Sequence, residues 1–220
     1  MQISFEDIRK NHEIGTYIRQ ADASLEALGF TEHSFAHVTK CAQAASGLLR
    51  QLDYPDRTCE LAAIAGYIHD IGNVINRIDH AQSGAVMAFR ILDKLGMPPE
   101  EVATVITAIG NHDEKTAFLV NAVAAALILA DKTDVRRSRV RSKATIGSDI
   151  HDRVNYAVVE SSTTLNQQEK TFTLSITLDT AICPILEYFE IFMERMLLCR
   201  RAADFFGLQF GVVINGQKLM

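Results

Sequence analysis

The spacing of apolar residues changes along this 220-residue chain, and that change constrains the fold more than any other feature. From about residue 5 to residue 135, apolar residues recur at helical spacing, and the pattern breaks at residues such as Gly29, Pro55 and Gly96. The later segment KTFTLSITL alternates strictly, with Phe172 and Leu174 on its apolar face and Ser or Thr on the other. The sequence therefore predicts an all-helical region followed by a region that contains a β-sheet.

The C-terminal region predicts a small β-β-α-β unit. The segment VNYAVVESSTTL is a candidate hairpin partner for KTFTLSITL, and a long amphipathic helix is predicted from about Thr180 to Phe206. The segment LQFGVVIN then alternates again and ends in an Asn-Gly turn. We therefore predict a mainly α protein with a helical domain over residues 1–145 and a small α+β domain over residues 150–220.

Composition and charge disfavour several classes of protein. The net charge of −5 and the pI near 5.8 disfavour binding to duplex nucleic acid or to an anionic membrane. The four cysteines are scattered without a CxxC pair, which is typical of reduced thiols that pack in a core. The N-terminus lacks a signal-like apolar stretch, and no window of 18 apolar residues is free of charge. We predict a cytoplasmic protein.

A histidine and an aspartate, His69 and Asp70, directly follow the almost uncharged run ELAAIAGYI. Burying such groups without partners is costly, and Asp131 raises the same problem because it follows a run that is apolar on every face. A bound cation would offset this cost. Imidazoles and carboxylates without a nearby thiolate suit iron, manganese, cobalt, nickel or zinc rather than calcium. The candidate ligands at the ends of helical runs are His37, His69, Asp70, His80, His112 and Asp131.

The order of these six residues, with His69 and Asp70 inside an HDIG motif, resembles the HD-domain superfamily of metal-dependent phosphohydrolases over residues 14–142. The resemblance implies an all-helical HD-domain bundle that holds two divalent first-row metal ions. It assigns the first ion to His37, His69, Asp70 and Asp131. It assigns the second ion to His80 and His112, with Asp70 bridging the pair. His69 and Asp70 are the implied catalytic residues.

Two ions a few ångströms apart can lower the pKa of a bridging water and neutralise phosphoryl oxygens during in-line attack. The predicted function is therefore hydrolysis of a phosphoester or phosphoanhydride in a small phosphorylated, nucleotide-like substrate. Cations that can contact phosphate follow Asp131 in the run KTDVRRSRVRSK, where we favour Lys132 and Arg139. His33 lies one helical turn before His37 and is a further substrate-binding candidate.

One departure from the superfamily pattern leaves the chemistry open. Many of these phosphohydrolases read HDIGK, whereas this chain has Asn73, whose amide can donate a hydrogen bond to substrate but brings no charge. An alternative is therefore a di-iron HD-domain oxygenase, which would use the same ligand set. The chain also lacks the GYP signature of cyclic-dinucleotide phosphodiesterases.

A further alternative is a nucleotide-sensing binding module whose β-β-α-β unit contacts a partner. The helical segment ICPILEYFEIFMERMLL carries more apolar surface than one small sheet can cover. A homodimer formed through the C-terminal unit would bury the excess, so we predict that oligomer.

Overall fold

The computed structural model describes residues 2–147 and 149–220, and the chain divides into a first unit that ends at Asp131 and a second unit from Lys132 to Met220. The helices of the first unit are α1 (Phe5–Lys10), α2 (His12–Ala27), α3 (Phe35–Gln51), α4 (Asp56–Ile68), α5 (His80–Lys94), α6 (Pro99–Gly110) and α7 (Ala122–Lys132), which ends at the unit boundary. A 3-10 turn, Ile71–Val74, lies between α4 and α5.

The helix ends follow the local signals in the sequence. Ser4 caps α1 in a capping box with Asp7, and Ser34 caps α3. The breaks expected at Gly29 and Gly96 lie just beyond the ends of α2 and α5, and both glycines have positive φ, of 80° and 82°. The predicted helical region is thus confirmed.

Two glycines bring elements of the first unit unusually close. A Cβ on Gly66 of α4 would lie 2.8 Å from the Cα of Ala42, so α3 and α4 can touch only because that side chain is missing. A Cβ on Gly72 would lie 2.0 Å from the carbonyl oxygen of His80. Gly72 therefore allows the 3-10 turn to lie directly against the first turn of α5.

The second unit contains two 3-10 turns, Arg137–Arg139 and Lys143–Thr145, then α8 (Ile150–Ala157), β1 (Val158–Asn166), β2 (Thr171–Leu178), α9 (Ile185–Phe205), β3 (Gln209–Ile214) and β4 (Gln217–Lys218). The sheet order is β1-β2-β3-β4. Strands β1 and β2 are antiparallel, whereas β2 and β3 are parallel and are connected by α9. The core of the second unit contains buried side chains of α9, β2 and β3, among them Tyr188, Phe192, Leu174 and Val212.

The predicted mainly α protein with a C-terminal β-β-α-β unit is confirmed, with differences in detail. Residues 154–157, expected in a strand, end α8, because Asp149 caps this helix by accepting hydrogen bonds from two backbone N–H groups. Helix α9 begins at Ile185 rather than near Thr180, after Pro184 at its N-cap. The domain limits of 1–145 and 150–220 stay a prediction.

The Asn-Gly turn after β3 has positive φ at both residues, 51° at Asn215 and 80° at Gly216, and leads into the short strand β4. Among the described residues, no helix combines the length and the apolar character needed to cross a membrane.

Candidate metal centre

The six predicted ligands lie together in the first unit because each is placed at or near a helix end. The four histidines and Asp70 are buried, and the Asp131 side chain is 12% exposed. Their positions are the first turn of α3 (His37), the residue after α4 (His69), the start of the 3-10 turn (Asp70), the first residue of α5 (His80), the second residue beyond α6 (His112) and the last turn of α7 (Asp131).

Asp70 lies between two pairs of histidines, and each of its oxygens faces a different pair. Its Oδ2 is 3.4 Å from Nε2 of His69 and 3.8 Å from Nε2 of His37. Its Oδ1 is 3.5 Å from Nε2 of His80 and 3.9 Å from Nε2 of His112. The carboxylate therefore lies between two groups of donors. We call His37 and His69 the His37 side, and His80 and His112 the His80 side.

The second carboxylate belongs to the His37 side. Oδ1 of Asp131 is 3.3 Å from Nε2 of His37 and 3.8 Å from Nε2 of His69. Donor atoms of His37, Cys41, His69 and Asp131 all lie within 4.8 Å of one another, as do those of His69, Asp70 and His112. Candidate metal-binding residues are therefore present.

Cys41 is a member of this cluster that sequence reasoning assigned to core packing alone. It is fully buried, and its Sγ is 3.7 Å from each ring nitrogen of His37. The signal that could have found it is its position four residues after His37, on the same face of α3.

Three histidines have their ring orientation fixed in the same way. Nδ1 of His69, His80 and His112 lies 2.8, 3.0 and 2.6 Å from the carbonyl oxygen of the residue three positions earlier. Because a carbonyl oxygen can only accept, each Nδ1 carries a hydrogen and, in the neutral ring, each Nε2 carries a lone pair. Each of these Nε2 atoms lies 3.4 to 3.9 Å from an oxygen of Asp70.

This arrangement fits a bound cation. Nε2 of His69 is buried and makes no hydrogen bond within the described residues, while Nε2 of His80 and Nε2 of His112 are only 3.2 Å apart. Facing lone pairs repel one another unless a positive charge lies between them. Nitrogen ligands at about 2.0–2.1 Å from a first-row ion are separated by about 3 Å, so the observed spacing suits shared coordination.

Electrostatics of the buried pair point the same way. Burial alone would raise the pKa of Asp70, but the adjacent imidazole of His69 holds that pKa well below its usual range. Burial alone would lower the pKa of His69, but Asp70 and Asp131 outweigh it and raise that pKa. The carboxylates thus favour positive charge at the position that His69 Nε2 faces.

Two of the predicted substrate-binding residues lie beside the cluster. Asn73 is buried, and its Nδ2 donates to Oδ1 of Asp70 at 3.0 Å, so this amide orients the central carboxylate. His33 is half-buried, with its ring centroid 5.4 Å from that of His37 and its Nδ1 donating to the carbonyl oxygen of Thr31. Their contacts with substrate stay predictions.

The other two, Lys132 and Arg139, belong to the second unit, and both are buried. Arg139 donates from Nη1 to the carbonyl oxygen of Asp134 at 2.9 Å and lies 3.8 Å from Oδ2 of the same residue. Arg139 therefore has a partner within the second unit. Phosphate binding by these two residues also stays a prediction.

Sequence reasoning missed Arg77. Its Nη1 is 3.3 Å from Nε2 of His80 and donates to Oδ1 of Asn73 at 3.3 Å. The only signal in the sequence was its place between the HDIG motif and His80, and that spacing does not specify where the side chain points.

A cavity of about 710 Å³ lies elsewhere in the first unit. It is lined by residues of α1, α3 and α4 and their flanks, including Ser46, Arg50, Arg57 and Glu60. None of the six predicted ligands lines it, so it is separate from the metal centre.

The family model of the HD domain matches residues 34–139. The matched segment covers just under half of the chain. All six predicted ligands fall inside the matched segment. No curated protein matches the chain.

Among solved structures, the chain is similar to a crystal structure of a predicted HD superfamily hydrolase from an uncultured Thermotogales bacterium. The two are 27% identical with a TM-score of 0.44, and the similarity covers 56% of this chain and 67% of the other.

Proposed function

We propose that this protein is a metal-dependent phosphohydrolase of the HD-domain superfamily that uses two divalent first-row ions. The observation that carries the proposal is the position of Asp70, whose two oxygens face two different histidine pairs. A single buried carboxylate placed in this way suits a ligand shared between two ions.

In this proposal the first ion is held by His37, His69, Asp70 and Asp131, and the second by Asp70, His80 and His112. Divalent ions in such a site supply Lewis acidity and an activated water. The protein's own contribution is orientation. The carbonyl groups behind His69, His80 and His112 fix the rings, and Asn73 fixes the carboxylate of Asp70.

The substrate class we propose is a phosphoester or phosphoanhydride of a small, nucleotide-like molecule. Water attack at phosphorus builds charge on the phosphoryl oxygens, and a cluster that concentrates cations at one point stabilises that charge. Lys132 and Arg139 remain proposed phosphate contacts, and a homodimer through the C-terminal unit remains the proposed oligomer.

The test combines metal analysis with a substrate panel. Protein loaded with Mn²⁺, Co²⁺, Ni²⁺ or Fe²⁺ is expected to hydrolyse a nucleotide or an aryl phosphate, and His69→Ala is expected to abolish that activity. His12→Ala removes an exposed histidine at the start of α2 and serves as the matched control, which should retain full activity.

One outcome would replace this proposal by the oxygenase. It is the absence of any phosphoester cleavage across the panel, together with O₂ consumption by iron-loaded protein in the presence of a polyol or a phosphonate. A mixed-valent di-iron spectrum in protein purified without added metal would accompany that result.

A further inference from the structure

Arg77 places a positive charge at the His80 side of the metal centre. It lies in the loop of residues 75–79, between the 3-10 turn and α5, and is half-buried. Its Nη1 contacts Nε2 of His80 and Oδ1 of Asn73, each at 3.3 Å. Its guanidinium carbon lies 5.7 Å from the ring centroid of Phe30, which is 41% exposed.

Both polar partners of Arg77 lead directly to the central carboxylate. Asn73 donates to Oδ1 of Asp70 at 3.0 Å, and Nε2 of His80 lies 3.5 Å from the same oxygen. Asn73 and His80 therefore each contact both the guanidinium of Arg77 and the carboxylate of Asp70. The Phe30 ring covers one side of the group and limits its freedom to turn into solvent.

Most of the donors of Arg77 are unused. A guanidinium has five N–H groups, and within residues 2–147 and 149–220 only Nη1 makes hydrogen bonds, so Nε and Nη2 have no partner there. Nε2 of His80 has a single lone pair, so coordination of an ion by that atom also releases Nη1. A half-buried guanidinium with free donors in a fork is suited to a tetrahedral oxyanion.

We infer that Arg77 binds the phosphate group of the substrate and the orthophosphate product. This inference rests on the proposed function and assigns phosphate binding to a residue of the first unit. Arg77 is then a substrate-contacting residue at the His80 side. The competing explanation is a structural role in which Arg77 only holds Asn73 and His80.

Orthophosphate binding to manganese-loaded protein, freed of unbound metal and measured by calorimetry, tests the inference without turnover. Arg77→Ala is expected to raise the Kd for orthophosphate by about 10- to 100-fold, the loss expected for charge-assisted hydrogen bonds. Arg77→Lys keeps the charge but loses the fork, so its Kd should fall between the two. Free guanidinium ion should restore part of the affinity of Arg77→Ala protein.

Arg90→Ala is the matched control. Arg90 lies on α5 in the same unit, its side chain is 61% exposed, and it pairs with Glu13. Ten residues of helix separate it from His80, about 15 Å along the axis. Loss of this charge should leave the Kd for orthophosphate unchanged.

Several results would overturn the inference. These are an unchanged Kd in Arg77→Ala, no orthophosphate binding by the wild-type protein, or loss of bound manganese in Arg77→Ala without rescue by guanidinium, which would assign Arg77 to holding His80. The proposed function fails separately. If the wild-type protein cleaves no phosphoester but binds orthophosphate, and Arg77→Ala protein loses that binding, the anion site is supported and the proposed hydrolase activity is not.

Discussion

Replacement of Asp70 by Asn should weaken metal binding on the His37 side more than on the His80 side. Nδ2 of Asn73 donates to Oδ1 of Asp70, so the remaining oxygen of the substituted side chain is held at that position as an acceptor. The new amide nitrogen then takes the Oδ2 position, which is 3.4 Å from Nε2 of His69. An amide NH₂ donates hydrogen bonds and cannot coordinate a cation.

The size of the effect follows from what each side loses. The His37 side loses both a ligand atom and a buried charge, and removing one partner from a buried charged pair costs about 3–5 kcal/mol. At about 1.4 kcal/mol per factor of ten, the Kd for that ion should rise about 10²- to 10⁴-fold. The His80 side loses charge but keeps its oxygen, so its Kd should rise less.

Calorimetry with Mn²⁺ and elemental analysis after dialysis would measure both affinities. His80→Ala protein keeps the His37 side and His37→Ala protein keeps the His80 side, so these variants identify each binding event. Asp79→Asn is the control, because Asp79 is exposed and its side chain makes no capping hydrogen bond. The reasoning is refuted if Asp70→Asn binds both ions with wild-type affinity or loses the His80-side ion first.

Two further predictions concern stability. Gly72→Ala should lower the free energy of unfolding by about 1–3 kcal/mol or more and reduce metal content, because its Cβ would lie 2.0 Å from the carbonyl oxygen of His80. A Cβ on Gly47 in α3 would meet nothing within 4 Å, so Gly47→Ala should raise the free energy of unfolding by about 0.5–1 kcal/mol. If Gly72→Ala and Gly47→Ala change the Tm equally in thermal denaturation, the packing argument is contradicted. Arg139→Ala should lower the free energy of unfolding by about 3 kcal/mol, because the buried Asp134 then has one partner fewer. An unchanged Tm would show that this pair does not stabilise the second unit.

Several features could be predicted from local information in the sequence. The strict alternation of KTFTLSITL became β2, whose apolar positions are buried in turn, because a strand directs successive side chains to opposite faces. The glycine breaks at Gly29 and Gly96 became helix ends because only glycine adopts positive φ without strain. Residue type likewise identified buried histidines and carboxylates as candidate ligands, since such groups need a partner.

Other features depended on contacts between distant segments. The pattern of β2 and β3 did not specify that they are parallel neighbours. Local spacing describes one element at a time, whereas these contacts are set by how elements pack.

The metal centre shows the same division. The sequence by itself determined which side chains could bind a cation, because that depends on their chemistry and on the apolar runs beside them. Only the tertiary structure decided that the two oxygens of Asp70 face different histidine pairs and that Arg77 lies against His80. The physical reason is that these positions depend on how several elements pack, including the close approach of the 3-10 turn to α5 at Gly72, and periodicity describes only one element at a time.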